Sequence, residues 1–95
     1  MRYYSVELAV RPDRRLSIKV LFDVAAIGAA SGDPGGRRAE TIVTVRARSL
    51  PDAAARAMRR VLRRCPGEVL AIDAMTIGEA DRRLAVVGIE RPSSV

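Results

Sequence analysis

The chain has 95 residues, of which 48% are apolar and only three are aromatic, and its formal net charge is +6. This length predicts one domain over residues 1–95 with a thin aliphatic core. One cysteine excludes an internal disulfide, and the lack of histidine excludes a zinc site or a Cys-His nucleophile built from this chain. No apolar run reaches the roughly 18 residues of a membrane helix, so we expect no membrane association and a cytoplasmic location.

Two strands joined as a hairpin are predicted at the start of the chain. Residues 3–10 alternate between apolar and other side chains, which is typical of a strand. Pro12 and Asp13 provide turn chemistry, and a second strand is predicted over residues 16–26. The inward-facing residues predicted for the two strands are Tyr4, Val6, Leu8, Val10, Leu16, Ile18, Val20, Phe22 and Val24.

A loop and a third strand follow. Gly, Pro and Ser dominate residues 28–39, which predicts a flexible loop, and the glycine spacing of phosphate-binding loops is absent. Residues 40–48 alternate again and predict a strand that leads directly into a helix. Its inward residues are expected to be Thr41, Val43, Val45 and Ala47.

The clearest signal is an amphipathic helix that begins after Ser49. Ser49 and Asp52 suit a capping arrangement, and Pro51 fits the first turn. Pro66 and Gly67 are expected to end the helix, with the glycine in a left-handed conformation. At about 100° per residue, one side is apolar and the other cationic. The apolar side comprises Leu50, Ala54, Ala57, Met58, Val61, Leu62 and Cys65, and the cationic side Arg56, Arg59, Arg60, Arg63 and Arg64.

The end of the chain predicts two more strands. Residues 68–77 read as a fourth strand, 78–83 as a polar connection, 84–90 as a fifth strand and 91–95 as a frayed tail. The predicted fold is therefore α+β, with an antiparallel sheet of about five strands and one amphipathic helix in the order β-β-β-α-β-β.

One helix is too short to cover such a sheet. At 1.5 Å per residue, a helix of about 15 residues is about 22 Å long. Aliphatic side chains such as Leu21 and Ile42 therefore remain on the open face. We expect a homo-oligomer, with a two-fold dimer favoured, that packs sheet on sheet or edge to edge. The alternative is a strongly curled sheet in a monomer.

The net charge is concentrated in the helix and its approach. Between Arg46 and Arg64 there are seven arginines and one acid, whereas the rest of the chain has ten basic and ten acidic residues. Clustered guanidinium groups favour a surface for nucleic acid or an acidic protein. Arg46 and Arg48 are expected to contribute less than the helical arginines. Two alternatives stay open: a merely solvated face, since 16 of 17 basic residues are Arg and coding bias has this effect, or a protein interface.

Catalytic chemistry has little support in the sequence. Asp23 and Asp73 are single acids in apolar segments, and they form a carboxylate pair only if the two segments lie side by side. Otherwise they are candidates for a ligand site or an interface. Cys65 lies on the apolar stripe of the helix, which indicates packing rather than reactivity. We predict no catalytic residue, no metal and no cofactor.

The order of elements resembles three known families. Three strands followed by a helix is similar to the core of double-stranded-RNA-binding domains, although residues 51–55 read Pro-Asp-Ala-Ala-Ala where that family has a basic run. The same order resembles small antitoxins with a partial ribonuclease-H-like sheet. Residues 41–90 resemble the β-α-β-β wrap of flavin-storing dodecins, whose flavin site needs an aromatic stacking residue; this chain has no tryptophan. These likenesses concern topology, which does not imply function.

The leading hypothesis is a small non-catalytic oligomeric domain that binds an anionic partner through its arginine-rich helix face. The rival is an accessory or assembly protein that works through its sheet interface, its arginines being only solvated. A third hypothesis is a small-ligand binder in a cleft between subunits near Asp23 and Asp73.

Overall fold

The computed structural model describes residues 1–90, including the side chains of residues 1–83. The elements are β1 (Arg2–Pro12), α1 (Ile18–Ala25), β2 (Ala29–Ser31), β3 (Ala39–Ala47), α2 (Leu50–Arg64), β4 (Gly67–Thr76) and α3 (Ile77–Glu90). The strands form one antiparallel sheet in the order β2-β3-β1-β4. The α+β class and the antiparallel sheet are confirmed. The predicted five strands, single helix and β-β-β-α-β-β order are wrong, because the described chain has four strands and three helices.

The chain contains two interleaved β-α-β units. In β1-α1-β2 the two strands are separated by β3, and in β3-α2-β4 they are separated by β1. This connectivity is the split β-α-β, or ferredoxin-like, arrangement. The three family likenesses depended on a different order of elements, so the observed topology removes their basis.

One face of the sheet forms the main core with α1 and α2. The alternation predicted for the first and third strands is confirmed, because their inward residues are buried. Both helices contribute side chains to the same cluster. The buried residues of β1 and β3 in this cluster are Tyr4, Val6, Leu8, Val10, Ala39, Val43, Val45 and Ala47.

Helix α1 stands where a second strand was predicted. The Ser17 hydroxyl caps it by accepting a hydrogen bond from the backbone N–H of Val20 at 3.1 Å. Ile18 and Phe22, predicted to point inward, are 61% and 71% exposed. The apolar residues of this segment fit a helical period of 3.6 as well as a strand period of 2, so periodicity alone does not decide between helix and strand. The Ser17 cap favours the helix.

A short edge strand occupies part of the predicted loop over residues 28–39. Residues 29–31 form β2 and pair with β3, and the Thr41 hydroxyl donates to the carbonyl oxygen of Ala29 at 2.6 Å. The glycine-rich part of the loop is hydrogen-bonded to Leu16. The Leu16 carbonyl oxygen accepts from the N–H of Gly35 at 2.6 Å, and the Leu16 N–H donates to the carbonyl oxygen of Gly36 at 3.0 Å. The assignment of 28–39 entirely to loop is therefore wrong.

Helix α3 replaces both the polar connection 78–83 and the fifth strand 84–90. Its start is a capping box, since the N–H of Glu79 donates to the Thr76 hydroxyl at 3.1 Å and the backbone N–H of Thr76 donates to the Glu79 carboxylate at 3.5 Å. The helix packs against β1 and β4 on the face opposite the main core, where Arg83 meets Asp73. The predicted frayed tail, 91–95, lies outside the described residues.

Helix α2 has the predicted start but a different buried stripe. Ser49 is the N-cap, as expected, and accepts from the N–H of Asp52 at 3.3 Å. Leu50 is 41% exposed, whereas Ala53, which was not predicted, is fully buried. The buried row is Ala53, Ala57, Val61 and Cys65, with Met58 and Leu62 half-buried beside it.

Gly67 is not the left-handed helix cap that was predicted. Among the described residues, the only positive φ belongs to Gly35. Gly67 instead begins β4 opposite Pro12, and a Cβ there would overlap the carbonyl oxygen of Arg11. Glycine is required because the two strands approach closely at this point.

Candidate anion-binding surface

Five arginines surround a shallow depression of about 350 Å³ at the end of the sheet where β1 begins and β3 ends. Met1 and Val45 complete its lining. The five residues, which we call the arginine surface, are Arg46, Arg56, Arg59, Arg60 and Arg63.

Two elements bring these arginines together. On α2, the buried row faces the sheet, and helical periodicity turns Arg56, Arg60 and Arg63 toward one flank. Arg46 lies one residue before the end of β3, on the side of that strand away from the main core. The arginine-bearing flank of α2 and the end of β3 therefore line one concave patch. This holds although α2 lies on one face of the sheet and Arg46 belongs to the other face.

Asp52 is the acid closest to this surface in sequence, and it is already engaged. Its Oδ2 accepts from the backbone N–H of Arg48 and from Nε of Arg56, both at 3.0 Å. The backbone hydrogen bond from Arg48, followed by the Arg56 guanidinium, lowers the pKa of the Asp52 carboxyl. Asp52 therefore offsets the charge of Arg56.

The other four members of the arginine surface are exposed. Within the part of the chain whose side chains are described, no carboxylate forms an ion pair with Arg59, Arg60 or Arg63. The guanidinium groups of Arg59, Arg60 and Arg63, on one flank and the outer side of α2, can therefore donate hydrogen bonds to a bound ligand. Guanidinium groups bind phosphate and carboxylate bidentately.

Arg48 and Arg64 do not join the depression. Both are exposed, but neither lines it. The backbone N–H of Arg48 takes part in the Asp52 cap. Of the seven arginines singled out from the sequence, five are brought together and two lie outside the group.

Tyr3 is a neighbour of the arginine surface that sequence reasoning did not include. It is the direct cross-strand partner of Arg46, and its side chain is 60% exposed. The alternation of residues 3–10 already placed Tyr3 on the outer side of its strand. What was missing was the pairing of β1 with β3, which a single sequence does not reveal.

Asp23 and Asp73 do not form a carboxylate pair. Asp23 lies on α1, in the helix layer, and accepts from Nζ of Lys19 at 2.7 Å. Asp73 lies on the opposite face of the sheet and accepts from Nη1 of Arg83 at 2.9 Å. That ion pair raises the pKa of Arg83. No group of three or more potential metal-ligating side chains occurs among the residues with described side chains.

Cys65 is buried at the C-terminal end of α2. Burial, with a smaller contribution from the negative charge of Asp13, raises the pKa of the Cys65 thiol. A raised pKa disfavours the reactive thiolate, so this cysteine acts as a packing residue.

A second depression, of about 460 Å³, lies on the sheet face away from α1 and α2. Its floor includes Ala9, Ala71 and Ile42, and its polar lining includes Glu7 and Asp73. Asp23 does not line it, so the two acids of the small-ligand hypothesis do not share a cleft within the subunit.

Comparisons with protein-family models, curated proteins and solved structures find no match to this chain. The class of protein therefore rests on the fold alone, which is an α+β domain with a four-stranded antiparallel sheet. In the part of the chain described, none of the helices has the length and apolar character to cross a membrane.

Proposed function

We propose that this protein is a non-catalytic binding domain whose arginine surface holds a polyanion, with single-stranded nucleic acid as the favoured ligand. The observation that carries the proposal is the convergence of Arg46 with Arg59, Arg60 and Arg63 around one concave patch. The arginines of the patch come from the end of β3 and one flank of α2. The concave shape of the patch therefore results from how these two elements pack together.

The spacing of the helical arginines suits a phosphate chain. Arg59 and Arg63 are four residues apart and therefore separated by about 6 Å along the helix axis. This separation is comparable to that of successive phosphates in a nucleic acid strand. Each neutralised phosphate releases counterions, which supplies affinity without reading sequence.

Tyr3 favours a single strand over a duplex. Tyr3 is exposed next to Arg46, at the edge of the arginine surface, and offers a face on which an unpaired base can stack while its phosphates contact arginines. The bases of a duplex are already stacked on one another and do not present such a face.

The test is a titration of a fluorescent single-stranded oligonucleotide at several salt concentrations. Four phosphate contacts predict a slope of about −2.8 in log affinity against log salt, or about a 50-fold loss between about 50 and about 200 mM salt. A response that is flat in salt contradicts the proposal. Binding to polyglutamate that is stronger than binding to the oligonucleotide assigns the surface to an acidic protein instead.

A matched pair of double variants separates the patch from overall charge. Arg59→Glu with Arg63→Glu is expected to abolish binding, because both side chains line the depression. Arg14→Glu with Arg82→Glu removes the same charge from two exposed arginines elsewhere and is expected to lower affinity only slightly. Equal losses in the two variants would show that net charge, rather than this surface, attracts the ligand.

A second candidate function is assembly through the sheet, with the arginines only solvated. The exposed aliphatic side chains of β4 favour it, since Leu70 and Ile72 are 40% and 39% exposed. The two candidates involve different surfaces and are compatible.

A further inference from the structure

Helix α1 is apolar on the side that faces away from the sheet. Its inner side is formed by Val24, which is buried, and by Val20, which packs against the main core. At about 100° per residue, Ile18 and Phe22 fall on the opposite side, and both are exposed, at 61% and 71%. The outer side of a surface helix is normally polar, so the apolar outer side of α1 requires an explanation.

Phe22 is the most exposed large apolar side chain among the residues described. The chain has three aromatic residues, and only Tyr4 is buried in the core. The exposed Tyr3 still has a hydroxyl group that favours contact with water, whereas the side chain of Phe22 has no polar atom. Exposure of the Phe22 ring therefore costs free energy, which a ligand covering the ring would restore.

The two charged residues of α1 neutralise each other. Nζ of Lys19 lies 2.7 Å from Oδ2 of Asp23, one helical turn further along. α1 itself therefore offers an uncharged apolar surface, and the charge that selects its ligand must come from neighbouring elements.

The neighbour of α1 is the cationic flank of α2. α1 packs over β2 and β3, whereas α2 packs over β3, β1 and β4, so α1 contacts α2 from the β3 side. The flank of α2 that carries Arg56 and Arg60 also faces β3, because these arginines border Val45 and Arg46. The arginine surface and the apolar outer side of α1 therefore lie on the same side of α2.

From this arrangement we infer that Phe22 is a second base-stacking platform, on the helix side of the arginine surface. The inference rests on the proposed single-stranded ligand. A single strand carries flat bases beside its phosphates, and an aromatic ring beside guanidinium groups matches both parts. An acidic peptide supplies the negative charge, but carboxylates do not stack on a ring.

The two platforms define the path of the strand. Tyr3 belongs to the sheet face away from α1, so the two rings flank the arginine surface from opposite faces of the sheet. The open face of the sheet carries Glu7 and Asp73, which repel phosphates. The bound strand therefore passes around the end of β3 and continues onto α1.

A tryptophan at position 22 tests stacking directly. The chain has no tryptophan, so the emission of Phe22→Trp reports on this position alone. Saturation with a single-stranded oligonucleotide is expected to quench this emission, because a stacked base contacts the indole ring. The control is Ile42→Trp. Ile42 is 44% exposed but lies opposite Glu7 on the other sheet face, and the emission of the control is expected to change little.

Affinity measurements separate stacking from charge. Phe22→Ala is expected to weaken oligonucleotide binding about tenfold. The slope of log affinity against log salt is expected to stay unchanged, because the ring releases no counterions. Phe22→Leu keeps an apolar side chain without a ring and is expected to show a similar loss. Polyglutamate has no bases, so Phe22→Ala and the wild type are expected to bind it equally. Circular dichroism checks that each variant folds.

Four results would overturn the inference: wild-type oligonucleotide affinity in Phe22→Ala, wild-type affinity in Phe22→Leu, equal quenching at the two tryptophan positions, or an equal loss of affinity for polyglutamate. The proposed function can be distinguished from it. Salt-dependent binding that Arg59→Glu with Arg63→Glu abolishes, but Phe22→Ala leaves intact, supports the arginine surface and excludes only the Phe22 platform. A wild type that does not bind the oligonucleotide overturns both.

Discussion

Tyr3 of β1 and Arg46 of β3 lie directly opposite each other in the antiparallel pair, and both are exposed. The Tyr3 ring therefore lies next to Arg46, at the edge of the arginine surface. If the ring stacks on a base, Tyr3→Ala is expected to weaken oligonucleotide binding about tenfold, within the usual range of about 1–3 kcal/mol per stacked base. Tyr3→Phe keeps the ring and is expected to bind normally. Fluorescence anisotropy measures both, and equal affinities for the alanine variant and the wild type would exclude stacking.

The Asp52 cap predicts a pH-dependent contribution to stability. The pKa of Asp52 is lower in the folded than in the unfolded chain, so the stabilisation is present above the unfolded pKa and disappears as pH falls through the folded pKa. Asp52→Asn is therefore expected to be less stable than the wild type near neutral pH, with the difference shrinking below about pH 4. Urea unfolding at both pH values measures this difference. The prediction fails if the difference is the same at both.

The small residues under α2 predict sensitivity to added volume. Ala57 has no exposed surface and lies in the main core between the helix and the sheet. Ala57→Leu is expected to lower the free energy of unfolding by about 1–3 kcal/mol, because the helix must move away from the sheet. Ala54, which is half-buried, is the control, and Ala54→Leu is expected to cost less. Equal costs at the two positions would mean that the alanine row does not set the distance between the layers.

Two glycines are expected to respond to alanine in opposite directions. A Cβ at Gly67 overlaps the backbone of Arg11, which cannot move without breaking the β1–β4 pairing, so Gly67→Ala should destabilise by more than about 1 kcal/mol. At Gly78, in α3, the nearest atom is 3.6 Å away, and Gly78→Ala should stabilise by about 0.5 kcal/mol. Thermal unfolding measures both, and a tolerated Gly67→Ala would contradict the close approach of the two strands.

Local patterns predicted four of the seven elements. β1, β3 and α2 were recognised because each has an unambiguous period, and α2 also has its Ser49 cap. β4 was recognised as an apolar run after Pro66 and Gly67, without a clear period. α1 was misread because its apolar residues fit two periods. The missed α3 was signalled by Thr76 and Glu79, whose spacing is that of a capping box. β2, with three residues among glycines, has too little pattern to detect.

The sequence by itself determined that one helix is cationic on one side and apolar on the other, because helical periodicity depends only on neighbours in the chain. Only the tertiary structure decided that Arg46 joins that helix, that Tyr3 stands beside Arg46, and that Asp23 and Asp73 lie in different layers. These placements depend on which strands pair. Pairing is set by the burial of the whole core, which no short stretch of sequence encodes.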